Sequence, residues 1–498
     1  RAFSESLLLI FDHTSPILFF SGRNLSNPFY LFRKQKRGLK MTDLNATFEK
    51  TLDKLLEEKK YSTVKDILST MAGEDVAAII QELPEKAGPL IFRLLPKKIA
   101  SDAFVEMESD YQEKLIKGFS DSELTEILDE LYVNEAVDIV EEMPANVVER
   151  ILTHVDSETR KAINQILQYP ENSAGSIMTT EYVSLRLGTT VGQAINLIRK
   201  NGTDKKSFYT CYVTKNRKLL GRLSVKDLLL AKDDEMLIDD LMKTNVISIN
   251  THTDQEEVAQ MFSKYNFMAL PVVDKEERMV GIIAFDDAIE VLEDETTEDI
   301  EIMAGMTPSD KTYLRASPFN LFKHRIGWLM LLMVSATFTG MIITGFENAL
   351  AAQVVLTAFI PMLMDTGGNS GSQSSVTIIR SLSLGEVEFR DLGAVIWKEV
   401  RTAVLCGLCL AVVCFTKIML VDRLLLRNTD VTVMVASVVC ITMCVTVLVA
   451  KVIGCTLPLI AKKLGFDPAV MASPFITTIV DAVSLLVYFG IAKQLLGL

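Results

Sequence analysis

The spacing of apolar residues predicts a helical domain in the first third of the chain. From Asn45 to about Tyr169, apolar residues recur at helical spacing in short segments separated by proline, as in Glu82-Leu-Pro84 and Glu142-Met-Pro144. Proline at such positions ends or begins helices. The pattern indicates degenerate helical repeats wound into an all-α superhelical domain, although an irregular helical bundle would have the same spacing.

Residues from about 176 to 292 contain one pattern twice. Each copy predicts a strand, a helix, two further strands around a turn, and a helix, and the period of about 65 residues is typical of an internal duplication. The copies end in similar segments, Gly221-Arg-Leu-Ser-Val-Lys-Asp227 and Gly281-Ile-Ile-Ala-Phe-Asp286. The duplication and these endings closely resemble a tandem pair of CBS domains, which are α/β units that bind adenine nucleotides or other regulatory ligands and are rarely catalytic.

The remainder of the chain contains apolar stretches long enough to cross a bilayer, for which roughly 20 residues suffice. The five predicted spans are about Ile326–Gly345, Ala351–Ile379, Leu392–Ile418, Val431–Ala461 and Pro468–Leu496. Lys and Arg flank the first span and most loops on the same side, whereas residues 346–353 contain neither. This bias predicts a multi-pass protein of the cell (inner) membrane with cytoplasmic N-terminal domains and an external C-terminus.

Composition excludes several classes of function. The 498 residues carry a formal net charge of −13, mostly from the part before the spans, which argues against nucleic acid as a partner. The chain shows no nucleophile–base pair, Walker loop or zinc motif, so we do not expect an enzyme. Residues 1–40 differ in pattern from the rest of the chain, and we expect them to be an extension that is disordered or not native.

The second predicted CBS unit leads into an acidic run. Residues 286–301 contain nine carboxylates and neither Lys nor Arg. Like charges at three- and four-residue spacing destabilise an isolated helix, and such a run is commonly a solvated face or a disordered tail. Because oxygen ligands suit hard divalent cations, we interpret this run between a sensor-like pair and the membrane as a regulatory cation-binding segment.

Asp481 is the most informative residue of the apolar region. Of ten acidic residues after Ile326, only Asp365 and Asp481 are interpreted as lying deep within apolar runs, and small or hydroxylated residues rather than Lys or Arg accompany both. Ionised side chains at bilayer depth are costly and usually face a bundle interior or a water-filled path. The pattern favours passage of a cation over a protonated Asp that bonds a neighbouring helix.

The second predicted span contains a polar and glycine-rich run, Asp365-Thr-Gly-Gly-Asn-Ser-Gly-Ser-Gln373. Polar groups exposed to lipid must be satisfied internally, so this run is expected to face protein or water. Gly367, Gly368 and Gly371 permit either close helix approach or local unwinding of the backbone. A tight packing seam would explain the small residues alone, but Asp365 and the amides favour a pore lining.

Two of these segments resemble the MgtE family of magnesium channels. The family motifs correspond to Gly-Gly-Asn-Ser-Gly-Ser-Gln373 and to Pro474-Phe-Ile-Thr-Thr-Ile-Val-Asp481, and the order of domains is also similar. The resemblance implies a multidomain membrane protein whose membrane part has five helices. The implied domains are 41–172 (helical N domain), 173–238 (CBS 1), 239–292 (CBS 2), 293–325 (acidic connecting, or plug, helix) and 326–498 (pore domain).

The resemblance also implies a homodimer with one pore on its two-fold axis. Asp481 matches the family's selectivity carboxylate, and two copies would hold a largely hydrated Mg²⁺ through its waters. Ser473 stands where some members carry Asn, and Asp365 where some carry Gly. The implied pore residues are Asp481, Thr477, Ser473, Asp365 and Asn369. Glu347 and Asp467 could bind cations in the vestibules, or be ordinary surface charges.

For regulation, the resemblance implies that cytosolic Mg²⁺ binds among the cytoplasmic domains and closes the pore. The matching residues of the acidic segment are Asp286, Asp287, Glu290, Glu295, Glu298 and Asp299. Asn266 stands where a carboxylate ligand would be expected, so one site could be weakened or moved. ATP is a candidate ligand of the CBS pair through Ser224, Asp227, Tyr212 and Phe267, with ordinary domain packing as the alternative.

Three functions therefore compete. The first is a Mg²⁺-selective, Mg²⁺-gated channel for magnesium uptake. The second is an ion-coupled secondary transporter of divalent cations that uses Asp365 or Asp481, although no inverted repeat is evident among five spans. The third is a membrane-tethered nucleotide sensor, which would leave the intramembrane carboxylates unexplained.

Overall fold

The computed structural model of the protein describes residues 52–497, apart from 53, 57, 59, 85–86, 203–204, 310–312 and 314–315. The predicted extension 1–40 lies outside these residues. The chain forms two compact units, one of residues up to 131 together with 142–154, and one of residues 132–141 together with 155 onward.

The first unit is helical, as the proline-punctuated pattern predicted. Buried aromatic rings form its centre, where Phe92 and Phe119 stack at 5.6 Å between centroids and Phe104 packs against both. Local sequence signals mark the start of some of its helices. For example, Ser120 and Glu123 form a reciprocal capping box at the start of the helix Asp121–Leu128. Its helices are α1 (Tyr61–Leu68), α2 (Gly73–Glu82), α3 (Ala87–Phe92), α4 (Lys97–Val105), α5 (Ser109–Gly118), α6 (Asp121–Leu128) and α8 (Ala145–His154).

The second unit begins with α7 (Val133–Glu142) and α9 (Ser157–Ile166) and continues into the duplicated α/β pair. Two three-stranded sheets have the orders β1-β2-β3 and β4-β5-β6, and in each the first two strands are parallel and the last two antiparallel. The duplication is thus confirmed. Its elements are β1 (Tyr182–Arg186), α10 (Val191–Asn201), β2 (Ser207–Lys215), β3 (Lys218–Ser224), α11 (Val225–Leu229), β4 (Ile249–Asn250), α12 (Gln255–Tyr265), β5 (Ala269–Val273) and β6 (Met279–Ala284).

The acidic run forms a continuous helix, α13 (Phe285–Met303), that follows β6 directly. It therefore begins within the segment predicted as CBS 2 and ends well before residue 325. Gly305 then takes a left-handed conformation (φ +71°), which glycine adopts without steric cost. The next helix, α14 (Pro318–Gly345), starts inside the predicted connection, where the Ser317 hydroxyl accepts a hydrogen bond from the Asn320 N–H and Pro318 occupies the first turn.

The C-terminal part is a bundle of long helices. Among the described residues, four helical segments are long and apolar enough to cross a membrane: Pro318–Gly345, Phe389–Leu425, Val433–Leu464 and Pro468–Leu496. The remaining predicted span corresponds to a 24-residue helix, Ile360–Ser383, that carries the polar run. After α14, the elements are α15 (Glu347–Ala352), α16 (Ile360–Ser383), α17 (Leu392–Lys417), α18 (Val433–Leu464) and α19 (Ser473–Leu496).

Shorter turns join these helices, and apolar packing holds them together. The 3₁₀ turns are Val354–Phe359, Phe389–Asp391 and Pro468–Met471, and a π-helical segment spans Ile418–Leu425. Tyr488 and Phe489 are fully buried in an apolar cluster of the bundle, and the Tyr488 hydroxyl donates to the Leu356 carbonyl at 3.0 Å. Helix α16 packs against both α18 and α19, so its position decides how the polar residues of these three helices are arranged.

Candidate functional site

One face of α16 is a glycine seam that brings α18 and α19 very close. A Cβ atom on Gly368 would lie 2.8 Å from Thr477 Cγ2, and one on Gly371 would lie 2.8 Å from Ile476 Cγ2. Across from Gly371, a Cβ on Gly454 would be only 2.2 Å from the Gly371 carbonyl oxygen. Because α16 is continuous from Ile360 to Ser383, these glycines serve close helix approach and not the local unwinding that was the alternative.

The polar residues of α16 follow a different stripe. Asp365, Asn369 and Gln373 are spaced by four residues, and all three are exposed in the single chain. The Asn369 Nδ2 amide donates to Asp365 Oδ1 at 3.0 Å. Such a stripe would be costly against hydrocarbon, so it is suited to a water-filled path or to a second polar surface.

Asp481 lies on α19 beside the same part of α16. Its side chain is partly buried, and its Oδ1 atom has no hydrogen-bond partner within the described part of the chain. Thr477 lies one turn earlier, in contact with Gly368, so α19 presents a hydroxyl and a carboxylate next to the α16 stripe. The structure thus places all five predicted pore residues on two adjoining helices. Ser473 is the first residue of α19, and its side chain is not among those described.

A further carboxylate of the membrane helices, Glu399 on α17, was not singled out by the sequence reasoning. The Ser374 hydroxyl of α16 donates to Glu399 Oε2 at 2.7 Å, and the Lys451 Nζ of α18 donates to Ser374 Oγ at 3.2 Å. Lys451 Nζ lies 3.8 Å from Glu399 Oε2, and the two side chains are only 6% and 14% exposed. A lysine within the apolar sequence of α18 was the available signal.

A lysine partly neutralises the beginning of the acidic helix. Lys206 Nζ, whose side chain is 11% exposed, lies 3.3 Å from Glu135 Oε1, 3.1 Å from Asp286 Oδ2 and 3.2 Å from Asp287 Oδ1. Burial raises the pKa of Asp287 to about 6 in spite of Lys206.

The second half of the acidic helix is rich in carboxylates from several elements. The Gln255 Nε2 amide donates to Glu295 Oε1 at 2.7 Å, and burial raises the pKa of Glu295. Burial also raises the pKa of Asp299 to about 6, and repulsion from Asp467, Glu256 and Glu298 acts in the same direction. Asp467 itself accepts the Ala469 N–H at the turn before α19. The predicted regulatory residues Glu295, Glu298 and Asp299 therefore lie close to one another.

The end of the acidic helix contacts one end of the helices that carry the candidate pore residues. Ile302 and Met303 pack against Ile379 of α16 and against Ala469 and Ala472 before α19. In addition, the Gln260 Nε2 amide of α12 donates to the Ser383 carbonyl at the end of α16, at 2.5 Å. These contacts could transmit a movement of the acidic helix to α16 and α19. Across the described residues, no group of three or more His, Cys, Asp or Glu side chains is arranged to hold a metal ion.

The remaining predicted residues fall in separate places. Glu347 begins α15, and its neighbour Phe346 packs near Ile360 at the start of α16, whereas Ala469, close to Asp467, packs against Ile379 near the end of α16. A cleft of about 690 Å³ between the two α/β units is lined by Ser224 and Phe267, together with Tyr209 and Arg222. Asp227 caps α11 by bonding Ser224, and Tyr212 is fully buried, so its ring belongs to the packing of the sheet and not to the cleft lining.

Asn266 also lines this cleft, and its backbone conformation ends a helix. It closes α12 in the left-handed conformation (φ 52°, ψ 46°), which Asn tolerates better than most residues. The structure thus gives the position a local role in ending the helix.

The sequence matches known proteins over nearly its full described length. Residues 360–491 match the family described as a divalent cation transporter, MgtE; residues 71–172 match the MgtE intracellular N domain; and residues 174–234 and 238–294 match CBS domains. The magnesium transporter MgtE of Thermus thermophilus is 33% identical over 451 residues, which cover 90% of this chain and 98% of the relative. The chain belongs to the MgtE family of magnesium transporters.

A second relative and a solved structure are also similar to this chain. The magnesium transporter MgtE of Bacillus subtilis is 32% identical over 443 residues, covering 88% of this chain and 95% of the relative. Among solved structures, the cytosolic domain of the Mg²⁺ channel MgtE in complex with ATP is 32% identical, with a TM-score of 0.47 over 49% of this chain and 99% of that one. The expected class is confirmed: the chain is a membrane transporter of Mg²⁺ and not an enzyme.

Proposed function

We propose that this MgtE protein is a Mg²⁺-selective channel of the cell (inner) membrane that takes up magnesium and is closed by cytosolic Mg²⁺. The observation that carries the proposal is Asp481, a carboxylate within the membrane helices that has no protein cation beside it among the described residues. The nearby Glu399, in contrast, is neutralised by Lys451. A carboxylate left without a protein cation is suited to a transported one.

The pore would form between two copies of the chain. The stripe of Asp365, Asn369 and Gln373 is exposed in one copy although it lies at membrane depth, and a second copy around a two-fold axis would enclose it. Asp481 and Thr477 of each copy would then face the same path. Because Mg²⁺ gives up its waters reluctantly, paired carboxylates and hydroxyls would hold the hydrated ion through those waters. Five spans and an external C-terminus are part of this proposal. The distribution of Lys and Arg favours a cytoplasmic N-terminal part, and five crossings of the membrane then place the C-terminus outside.

Closure would act through the acidic helix. When cytosolic Mg²⁺ is scarce, Glu295, Glu298 and Asp299 repel one another and the neighbouring Asp467 and Glu256. Bound Mg²⁺ would relieve this repulsion and hold Met303 and Ile302 against the ends of α16 and α19. Such a switch requires that Mg²⁺ bind the closed arrangement more tightly than the open one.

Adenine nucleotide is a proposed second ligand, at the cleft lined by Tyr209, Arg222, Ser224 and Phe267. A related cytosolic domain has been solved in complex with ATP. Phe267 and Tyr209 offer aromatic faces for a base, and Arg222 offers a cation for phosphate. Ser224 adds a hydroxyl, although its bonds to Asp227 would have to be shared with the nucleotide.

The channel is tested by Mg²⁺ entry into proteoliposomes, comparing the wild type with Asp481→Ala at low and at saturating Mg²⁺ on the cytoplasmic face. We expect flux that needs Asp481 and that cytoplasmic Mg²⁺ shuts off. The loss in Asp481→Ala should be about tenfold or more, since a charge at low dielectric contributes at least about 1.4 kcal/mol. Undiminished flux in Asp481→Ala would remove Asp481 from the path, and flux with a fixed proton or Na⁺ stoichiometry would favour the coupled transporter.

A further inference from the structure

Lys206 is enclosed by carboxylates of two helices that the sequence places far apart. Its Nζ atom lies within 3.3 Å of Glu135 on α7 and of Asp286 and Asp287 on α13. The aromatic ring of Tyr132 covers the ammonium at 5.1 Å from the ring centroid. A lysine so surrounded stays charged, since its three acidic neighbours raise its pKa and outweigh the effect of burial.

Two of the carboxylates around Lys206, Glu135 and Asp287, also accept hydrogen bonds from other protein groups. Asp287 Oδ1 also accepts the Asn134 Nδ2 amide at 3.2 Å, and its Oδ2 accepts the Ala284 N–H. Glu135 Oε2 accepts the Tyr132 N–H at 2.9 Å. Together these contacts give each oxygen of Glu135 and of Asp287 at least one protein donor, so the protein itself supplies the positive charge and the hydrogen bonds that a divalent cation would otherwise provide.

A neighbouring contact fastens α7 in the same place. The Val133 N–H at the start of α7 donates to Glu181 Oε1 at 3.3 Å, and the Lys206 N–H donates to the Glu181 carbonyl at 3.1 Å. The segment before β2 therefore reaches α7 through Glu181 and through the Lys206 side chain. The start of the acidic helix and the start of α7 are held by the same short segment.

We propose that Lys206 is an internal counter-ion that holds α7 against the beginning of the acidic helix in place of a divalent cation. This inference rests on the proposed Mg²⁺ regulation. It assigns different roles to the two halves of α13. The beginning of the helix, with Asp286 and Asp287, is held at any Mg²⁺ concentration. Regulation by Mg²⁺ is then confined to the second half, with Glu295, Glu298 and Asp299.

Hydrogen–deuterium exchange on the full-length protein tests this division. We compare peptides covering residues 133–142 and 285–290 in EDTA and in saturating Mg²⁺, for the wild type, Lys206→Met and Lys206→Arg. The control is Lys205→Met, because the adjacent Lys205 forms no ion pair with these three carboxylates within the described structure.

In the wild type we expect both peptides to be protected in EDTA and unchanged by Mg²⁺. Lys206→Met should exchange about tenfold faster or more in EDTA, since it leaves buried carboxylates without a cation, and Mg²⁺ should restore its protection. Lys206→Arg and Lys205→Met should behave like the wild type. Protection of the wild type that depends on Mg²⁺, or unchanged protection in Lys206→Met, would overturn the proposal.

Two further readouts keep the result interpretable. Peptides from β5 and β6 report whether Lys206→Met has unfolded the α/β pair. If it has, the variant Glu135→Gln, which removes only one carboxylate, is used instead of Lys206→Met. It should accelerate exchange in peptides 133–142 and 285–290 by a smaller factor. Mg²⁺ flux measured in the same preparations reports separately on the proposed function. A wild type whose flux is not closed by Mg²⁺ would refute the regulatory proposal while leaving the exchange result to decide the role of Lys206.

Discussion

Two carboxylates of the membrane helices lie at similar positions in their helices but in opposite electrostatic surroundings. Glu399 is the eighth residue of α17, counted from Leu392, and Asp481 is the ninth of α19, counted from Ser473. Glu399 has a protein cation and a hydroxyl, Lys451 and Ser374, whereas Asp481 Oδ1 has no partner among the described residues. A carboxylate with its own cation can stabilise the fold, and one without it is left for a mobile cation.

The same contrast recurs in the acidic helix outside the membrane. At its beginning, Asp286 and Asp287 form ion pairs with Lys206, while Asp299 in its second half has three carboxylates near it and, as a weaker influence, the cation of Arg380. In both regions, the carboxylates that pair with a buried lysine hold helices together, and the carboxylates without such a lysine are those that we propose to bind Mg²⁺. The presence of a carboxylate therefore does not by itself indicate its role. Its role depends on whether a protein cation lies beside it.

The largest expected effect is on stability, in Lys451→Met. This change leaves Glu399 buried without a cation, and breaking a buried ion pair typically costs about 3–5 kcal/mol. We expect a much lower free energy of unfolding in detergent, measured by a thermal or denaturant melt. The double variant Lys451→Met with Glu399→Gln should regain most of the loss, because no charge remains buried.

Lys493→Met is the matched control for that prediction, since Lys493 lies on the exposed side of the last helix. It should change the free energy of unfolding by less than about 0.5 kcal/mol. If Lys451→Met is as mild as this control, Glu399 does not depend on Lys451 and the contrast with Asp481 fails.

Asp481→Asn is expected to differ from Lys451→Met in its effect on the free energy of unfolding. Because Asp481 has no protein cation to lose, removal of its charge should not destabilise the fold, and the free energy of unfolding should stay within about 1 kcal/mol of the wild type or rise. The same unfolding measurement applied to Glu399→Gln should show a clear loss. Equal losses in the two variants would mean that Asp481 is also a structural carboxylate.

The smallest expected effect concerns pH at Asp299. Its pKa of about 6 lies above the ordinary value of 3.8, so the folded protein binds more protons than the unfolded chain between these values. The contribution of Asp299 to stability is therefore present at low pH and is lost as the pH rises through about 6. Protons and Mg²⁺ relieve the same repulsion, so acidification toward that pH should weaken the apparent affinity for regulatory Mg²⁺.

Tryptophan fluorescence can follow this competition. Trp328 lies against Gly305, just beyond the acidic helix, and Trp397→Phe would leave it as the single reporter. Mg²⁺ titrations at about pH 7.5 and about pH 6 should differ in midpoint for the Trp397→Phe protein and differ less when Asp299→Asn is added. A pH dependence that Asp299→Asn leaves intact would assign it to another carboxylate.

Much of the fold and part of the site were predictable from sequence because their causes are local. Apolar residues at helical spacing predicted the helical first unit, the duplicated pattern predicted the paired sheets, and long apolar runs predicted most membrane helices. Asp481 and the stripe of Asp365 and Asn369 could be singled out because polar residues within apolar runs are costly wherever the helices pack.

Contacts between distant residues were decided only by the tertiary structure. The sequence left open whether the glycines of α16 unwind the helix or pack it, and close approach to Thr477 and Ile476 resolved this. Lys451 and Glu399 are 52 residues apart (451 − 399), and Lys206 and Asp287 are 81 apart (287 − 206). Charge pairing depends on separations of a few ångströms, which residue order does not encode until helices and sheets are packed.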